Sequence, residues 1–307
     1  MKKVTAEKII CENYGECVRI SNGEKELIAT IERGPYIVRY AYIGEENMFY
    51  EDLDNKYTND VTASEFKGNT WCVVGGHRLW LSPEKHPRTY YPDDYAARCE
   101  LTENGAKLSA PVQEWTFMQY TTEIAMSENG DVDIRHYVTN KGAWATKIAP
   151  WTVTVMQTGG LAVIPQNKRD TAYFPNKWVA FWPYTPMNDD RLYLGSDFAT
   201  LSQKCDCKEA AKVGFLNEHG YMVYFVNGNA FVKKFGFDKD AEYPDNGCNC
   251  ESYTCDGYTE MECLSPFTLL EPEATVTHEE KWHLEKCDAP KANDEAAIAK
   301  AIGELKF

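Results

Sequence analysis

A short run, Gly75-Gly76-His77-Arg78-Leu79-Trp80, gathers three side chains able to handle a polar ligand. An imidazole moves protons near neutral pH, a guanidinium donates a rigid fork of hydrogen bonds, and an indole offers a flat apolar face with a polar edge. The two glycines let the backbone turn tightly or pass close to another group. A second candidate is Thr259-Glu260-Met261-Glu262-Cys263-Leu264, ending at Ser265-Pro266. In a strand, residues two apart share a face, so Glu260 and Glu262 stand side by side. Paired carboxylates raise one another's pKa, which suits general acid or base work. The same spacing also fits a solvent-facing sheet edge, and Glu251 and Asp245 could join either picture. Tryptophans are the third ingredient. A pyranose stacks its C–H face on an aromatic ring while its hydroxyls need donors and acceptors. Trp80, Trp151, Trp178 and Trp182 all lie near such groups, and two of them are expected to line a site.

Strands must position these residues. Asn-Gly between apolar runs is the strongest local hairpin signal. It occurs at Asn22-Gly23, Asn104-Gly105, Asn129-Gly130 and Asn227-Gly228, and Asn246-Gly247 marks another turn. Val132, Ile134, His136 and Val138 alternate onto one face, as do Ile124 with Met126 and Trp115 with Phe117. Tyr221–Val226 is a continuous apolar run, as expected of a strand covered on both faces. Helix is predicted only at about 293–306, with Asn293 as N-cap and Ile298, Ala301, Ile302 and Leu305 at helical spacing. Two long irregular segments, 44–70 and 82–98, read as loops that cover or serve a site. The pattern predicts one all-β domain over 1–307, a large antiparallel β-sandwich with a short C-terminal helix.

Composition narrows the partners. The 307 residues carry a net charge of −15, which repels nucleic acid and anionic membrane alike. No apolar run reaches the roughly 18 residues of a membrane span, and the start, Met1-Lys2-Lys3-Val4, lacks the apolar core of a secretion signal. The 11 cysteines are odd in number, and reduced thiols in a cytoplasm are expected rather than a disulfide framework. Cys205-Asp206-Cys207 and Cys248-Asn249-Cys250 could hold zinc only if the two segments met, and no histidine supports them. No cofactor is expected. Asp93-Asp94 or Asp189-Asp190 could offer oxygens to a calcium ion, though paired loop acids are commonly just solvated. Dinucleotide, phosphate-loop, zinc-protease and nucleophile-elbow motifs are all missing from the sequence.

The order of several pieces resembles the galactose mutarotase-like (aldose 1-epimerase-like) superfamily, and within it an uncharacterised bacterial group. These are Gly75–Trp80, Ala149-Pro150-Trp151 with Gly159-Gly160, Phe231-Val232-Lys233, Tyr243-Pro244-Asp245-Asn246-Gly247, Glu262–Pro266, Leu270-Glu271-Pro272 and Trp282. The resemblance spans about residues 15–285. It implies a large antiparallel sandwich with a sugar cleft on one sheet. It also implies a glutamate that takes the anomeric proton and a histidine that protonates the ring oxygen. Glu262 falls where the glutamate is expected, with Glu260 as the fallback on the same face. His77 resembles a sugar-contacting histidine, and Arg78 the arginine of sugar-phosphate mutarotases. Trp80, Trp151, Lys233 and Asp245 complete the expected substrate contacts. Trp151 stands near where the acid histidine belongs, and an indole cannot donate a proton to a ring oxygen at neutral pH. Two readings stay open: an aldose 1-epimerase using Glu262 and His77, or a carbohydrate-binding or sensing protein without turnover. A lyase or hydrolase using Tyr90, Tyr91 and Glu84 is a third. The expected partner is a small sugar or sugar derivative, bound by a monomer or homodimer.

Overall fold

A computed structural model describes residues 3–59, 65–66 and 68–307. Met1, Lys2 and part of the irregular 44–70 segment lie outside the described residues. Two large antiparallel sheets face each other. The first runs in the order Thr5–Cys11, Gly15–Ser21, Lys25–Thr30, Ile37–Tyr42, Gly76–Ser82, Thr146–Met156, Thr259–Leu264, Cys250–Thr254, Ala211–Phe215, Val179–Phe181. Thr268–Leu270 pairs with the start of Thr146–Met156. The second runs Leu192–Leu194, Phe198–Ser202, Leu161–Pro165, Tyr221–Val226, Asn229–Phe235, Thr275–Lys286, Val132–Asn140, Met118–Met126, Gly105–Ser109, Arg98–Leu101. The protein is an all-β sandwich with a short C-terminal helix.

The Asn-Gly turns fall where expected. Asn227 and Gly228 both take positive φ, 51° and 69°, and join Tyr221–Val226 to Asn229–Phe235. That geometry matches the twist of the flanking strands. Between the sheets, Phe49, Phe231 and Trp282 meet edge to face at 5.3–5.7 Å, all fully or nearly fully buried. Such pairs add to the hydrophobic gain of burial. Gly75 and Gly76 are required where the Gly76–Ser82 strand begins. Their φ values are 97° and 65°, and a Cβ would meet the Tyr50 carbonyl oxygen at 2.0 Å or the Ile37 carbonyl oxygen at 2.2 Å. The chain is fixed here, not loose.

Two expectations about local structure change. The helix is Glu295–Glu304, and its N-cap is Asp294, whose carboxylate accepts from the Ala297 backbone N–H at 3.0 Å; Asn293 precedes it. Ile298 and Ile302 pack on Val163, Val223, Phe225 and Val232 of the second sheet. Trp115 and Phe117 alternate like a strand but precede one. Phe117 has φ 57°, its N–H closes a turn onto the Gln113 carbonyl at 2.9 Å, and both rings are exposed. Among the described residues, no helix is long and apolar enough to cross a membrane.

Candidate functional site

Strand register assigns each candidate side chain to a face. Residues paired directly across strands point the same way. Arg78, Val153, Glu262, Glu251 and Gly214 form one such row across five strands, and Val155, Glu260, Tyr253 and Lys212 belong to the same face. Trp80 and Trp151 are paired beside them. This face points away from the second sheet. Six of the residues expected from the sequence therefore share it or border it: Arg78, Trp80, Trp151, Glu260, Glu262 and Asp245.

At its centre lies a buried charge group. The Lys212 ammonium donates to Glu262 at 2.7 Å and lies 2.8 Å from Glu251. The Trp151 indole N–H also donates to Glu262, at 2.8 Å. Lys212 sits over the rings of Trp151 and Trp182, 4.8 and 4.7 Å from their centroids, a cation–π box. Gly214 makes room for it: a Cβ there would come within 3.2 Å of the Trp182 ring. Burial opposes the ammonium, but Glu251 and Glu262 overcome it and hold the Lys212 pKa well above the usual lysine value. Burial pushes the Glu251 carboxyl well up, against the pull of Lys212 and with the help of Glu262 and Asp245.

Glu260 is the acid that reaches the surface of this group. It is half-buried, whereas Glu262 and Glu251 are fully buried. Burial, reinforced by the charges of Glu262 and Glu84, raises the Glu260 pKa to about 8; Lys212 and Arg78 pull the other way. At neutral pH Glu260 is a carboxylic acid able to donate a hydrogen bond or a proton. Rings surround it. Trp80 meets Trp151 at 5.0 Å and Tyr90 at 5.6 Å, and Tyr253 meets Tyr184 at 6.4 Å. Tyr90, delivered by the 82–98 segment, donates its hydroxyl to Glu84. Asp245 sits in the turn Tyr243–Gly247 with φ 48°. Burial raises its pKa, Lys212 opposes the rise and Glu84 adds to it.

Arg78 shares the face but is covered. It is 3% exposed, donates to the Cys72 carbonyl at 3.0 Å and to the Val73 carbonyl, and stacks on Tyr36, Trp71 and Trp80. Its Nη1, buried without a hydrogen-bond partner, faces Asp93 at 3.8 Å.

His77 and Lys233 depart from expectation. His77 points to the opposite face, into the space between the sheets, where it is 1% exposed. Its Nδ1 lies 2.8 Å from the Thr154 hydroxyl and its Nε2 2.9 Å from His136 Nε2. The reason is strand alternation: Gly76–Ser82 turns His77, Leu79 and Leu81 inward and Arg78 and Trp80 outward. His77 is therefore separated by the sheet from Glu262 and cannot act as its acid partner. Lys233 is likewise interior, fully buried, with Glu280 at 3.2 Å and the Thr154 hydroxyl at 2.9 Å. His278 lies 3.2 Å from the same carboxylate and 2.6 Å from the Ser265 hydroxyl.

His77, His136 and Glu280 form the one group with metal-ligand spacing among the described residues, their ligand atoms within 4.8 Å of one another. The donor set does not suit a dication. The Lys233 ammonium already neutralises Glu280, and the two imidazoles already share a hydrogen bond. Burial lowers the pKa of His77 well below its usual 6.5, and that of His136 to about 3. Both are neutral in the folded protein. Unfolded, they take up protons below about pH 6.5, so stability falls as pH drops, by about 1.4 kcal/mol per pH unit for each histidine. Urea midpoints measured from about pH 7 down to about pH 4 should show this slope, and a flat profile contradicts it.

All 11 cysteines are free. The acids considered for calcium are partnered by protein groups. Asp93 accepts from the Tyr36 hydroxyl and faces Arg78 at 3.8 Å, and Asp94 pairs with Arg33 at 2.5 Å. Asp189 pairs with Arg191 and Asp190 with Lys204, each at 2.7 Å.

The sandwich has the fold seen in solved galactose mutarotase-like proteins. No family model and no curated protein matches the chain. Among solved structures, a galactose mutarotase-like protein from Clostridium acetobutylicum superposes with TM-score 0.52 at 10% identity, over 93% of this chain and 100% of that one. A galactose mutarotase-like protein from Lactobacillus casei does so with TM-score 0.50 at 11% identity, over 88% and 100%. A TPR-domain containing protein from Parabacteroides distasonis gives TM-score 0.62 at 13% identity, over 95% of this chain and 49% of that one, so this chain spans about half its length.

Proposed function

We propose that this protein binds a small carbohydrate on the outer face of its first sheet, over Trp80 and against Glu260. The reading is carried by one observation: a half-buried tryptophan lies on the same strand face as an acid that reaches the surface, bordered by Tyr90, Tyr253 and Tyr184. The ring accepts the apolar side of a pyranose while carboxyl and phenol groups bind its hydroxyls. The mutarotase-like fold of the neighbours supports the same reading. A panel of hexoses, pentoses, uronic acids and sugar phosphates, followed by ligand-observed NMR, tests it. Trp80→Ala should weaken binding about tenfold. Trp80 is the better probe than Trp151, which also supports Glu262. Unchanged affinity in Trp80→Ala, or no binding by any sugar, rules the reading out.

A second reading, anomer interconversion, is favoured by the Glu260 pKa of about 8. An acid poised near working pH is what proton transfer to a ring oxygen needs. Glu84, exposed and oriented by Tyr90, would be the partner carboxylate. In the same spectra, anomer exchange accelerated by the parent and lost in Glu260→Gln supports catalysis. Binding without acceleration leaves a carbohydrate-binding protein.

A further inference from the structure

The charge on the outer face is one-sided. Glu84, Asp245, Glu251, Glu260 and Glu262 bring five carboxyl groups, and among the described residues Lys212 brings the one ammonium in an ion pair with any of them. Arg78 is sequestered by the Cys72 and Val73 carbonyls and three aromatic rings. Glu84 and Glu260 have no ion-pair partner among the described residues, and Glu262 Oε1, wholly buried on the same face, has no hydrogen-bond partner. An anionic sugar would meet carboxyl groups here and, among the described residues, no cation left to pair with it.

Lys212 shows what such surroundings hold. Its ammonium lies between two carboxyl groups and two indole faces. Tyr90 brings acids and rings together again on this face: it donates to Glu84, feels the charge of Glu260 and meets the Trp80 ring at 5.6 Å, and among the described residues no cation pairs with Glu84 or Glu260. An ammonium over an aromatic face and beside a carboxylate is stabilised by both, and more strongly where water is partly excluded.

We propose that the ligand of this face is an amino sugar, a pyranose carrying a free ammonium, which Glu260 and Glu84 hold beside Trp80 and Tyr90. The proposal rests on the sugar-binding reading above and narrows it. It sets aside sugar phosphates and uronic acids, and it makes Glu260 the residue that determines specificity. A cation placed beside Glu260 favours its ionised form, so binding expels the proton that Glu260 carries when the site is empty.

Calorimetry on the full chain tests this with glucosamine, galactosamine and mannosamine beside glucose, galactose, mannose, glucose 6-phosphate and glucuronate. The titrations are run near pH 6, where the sugar amine is an ammonium, in two buffers of different ionisation heat. One amino sugar should bind about tenfold tighter than its neutral parent. Its heat should depend on the buffer in the way proton release requires. Glu260→Gln should remove both the preference and the proton release, and Glu84→Gln should reduce the preference. Equal affinity for amino and neutral sugars without proton release overturns the proposal and leaves sugar binding standing. Tighter binding of the phosphate or uronate also overturns it. No binding by any of the eight sinks the sugar reading itself.

Discussion

Lys212→Met should be the most damaging single change at the outer face, costing about 3–5 kcal/mol of stability at neutral pH. Lys212 is 5% exposed and bonded to Glu262, which is 0% exposed. Removing the ammonium leaves a buried carboxylate with only the Trp151 N–H to oppose its charge. Breaking one side of a buried pair is far worse than replacing both sides, because the surviving charge has lost its solvent and its partner. Urea unfolding reads the loss. The double change Lys212→Met with Glu262→Gln should recover part of the loss. A single mutant that unfolds at the parent's urea concentration would mean that the ion pair is solvated in solution.

Lys233→Met should cost about as much, again roughly 3–5 kcal/mol, for the same reason at a different place. Its partner Glu280 is buried between the sheets, where burial pushes its pKa up but the charge of Lys233, with His77 and His278, holds it well below the usual carboxylate value. A carboxylate so depressed contributes stability that is present above its unfolded pKa and is lost as pH falls through the folded value. Without Lys233 that contribution disappears, and the neutral-pH advantage over acid should narrow. The outer face is untouched, so sugar affinity measured on the folded fraction should stay within about twofold of the parent. Loss of affinity with stability unchanged would place Lys233 at the ligand after all and undo the assignment of faces.

That assignment marks how far the sequence could be read. The Asn-Gly turns were legible because turn chemistry is local. The shared face of Glu260 and Glu262 was legible because the period of a strand is two. The same rule could have placed His77, since Leu79 and Leu81 alternate with it as inward residues. It could also have placed Lys233, which alternates with Phe231 and Phe235. In both cases a chemically versatile side chain drew attention away from the parity of its strand. Lys212 was missed for a different reason. Its acids lie on other strands, Glu262 fifty residues along the chain, and contacts across strands are fixed by topology that local pattern does not carry. The visible hint was a lysine set in Ala210-Ala211-Lys212-Val213-Gly214-Phe215, a cation inside an otherwise apolar strand. The carbonyl grip on Arg78 was equally hidden, because it depends on how the chain at Cys72 and Val73 doubles back.

The interior hydrogen bonds run on from Thr122 through His136 and His77 to Thr154, then through Lys233 to Glu280, His278 and Ser265. The path crosses between the layers at His136–His77 and at Thr154–Lys233, and returns at His278–Ser265 just past the Thr259–Leu264 strand. Apolar layers can trade one contact for another and slide with little penalty, whereas donors and acceptors tolerate only one offset. The sandwich is therefore keyed: its two layers have a single alignment along the strand direction. The outer face, built on strands that carry Thr154 and His77 on their inner side, inherits that alignment, so the spacing of Trp80, Trp151 and Glu260 is held by bonds made on the far side of the sheet.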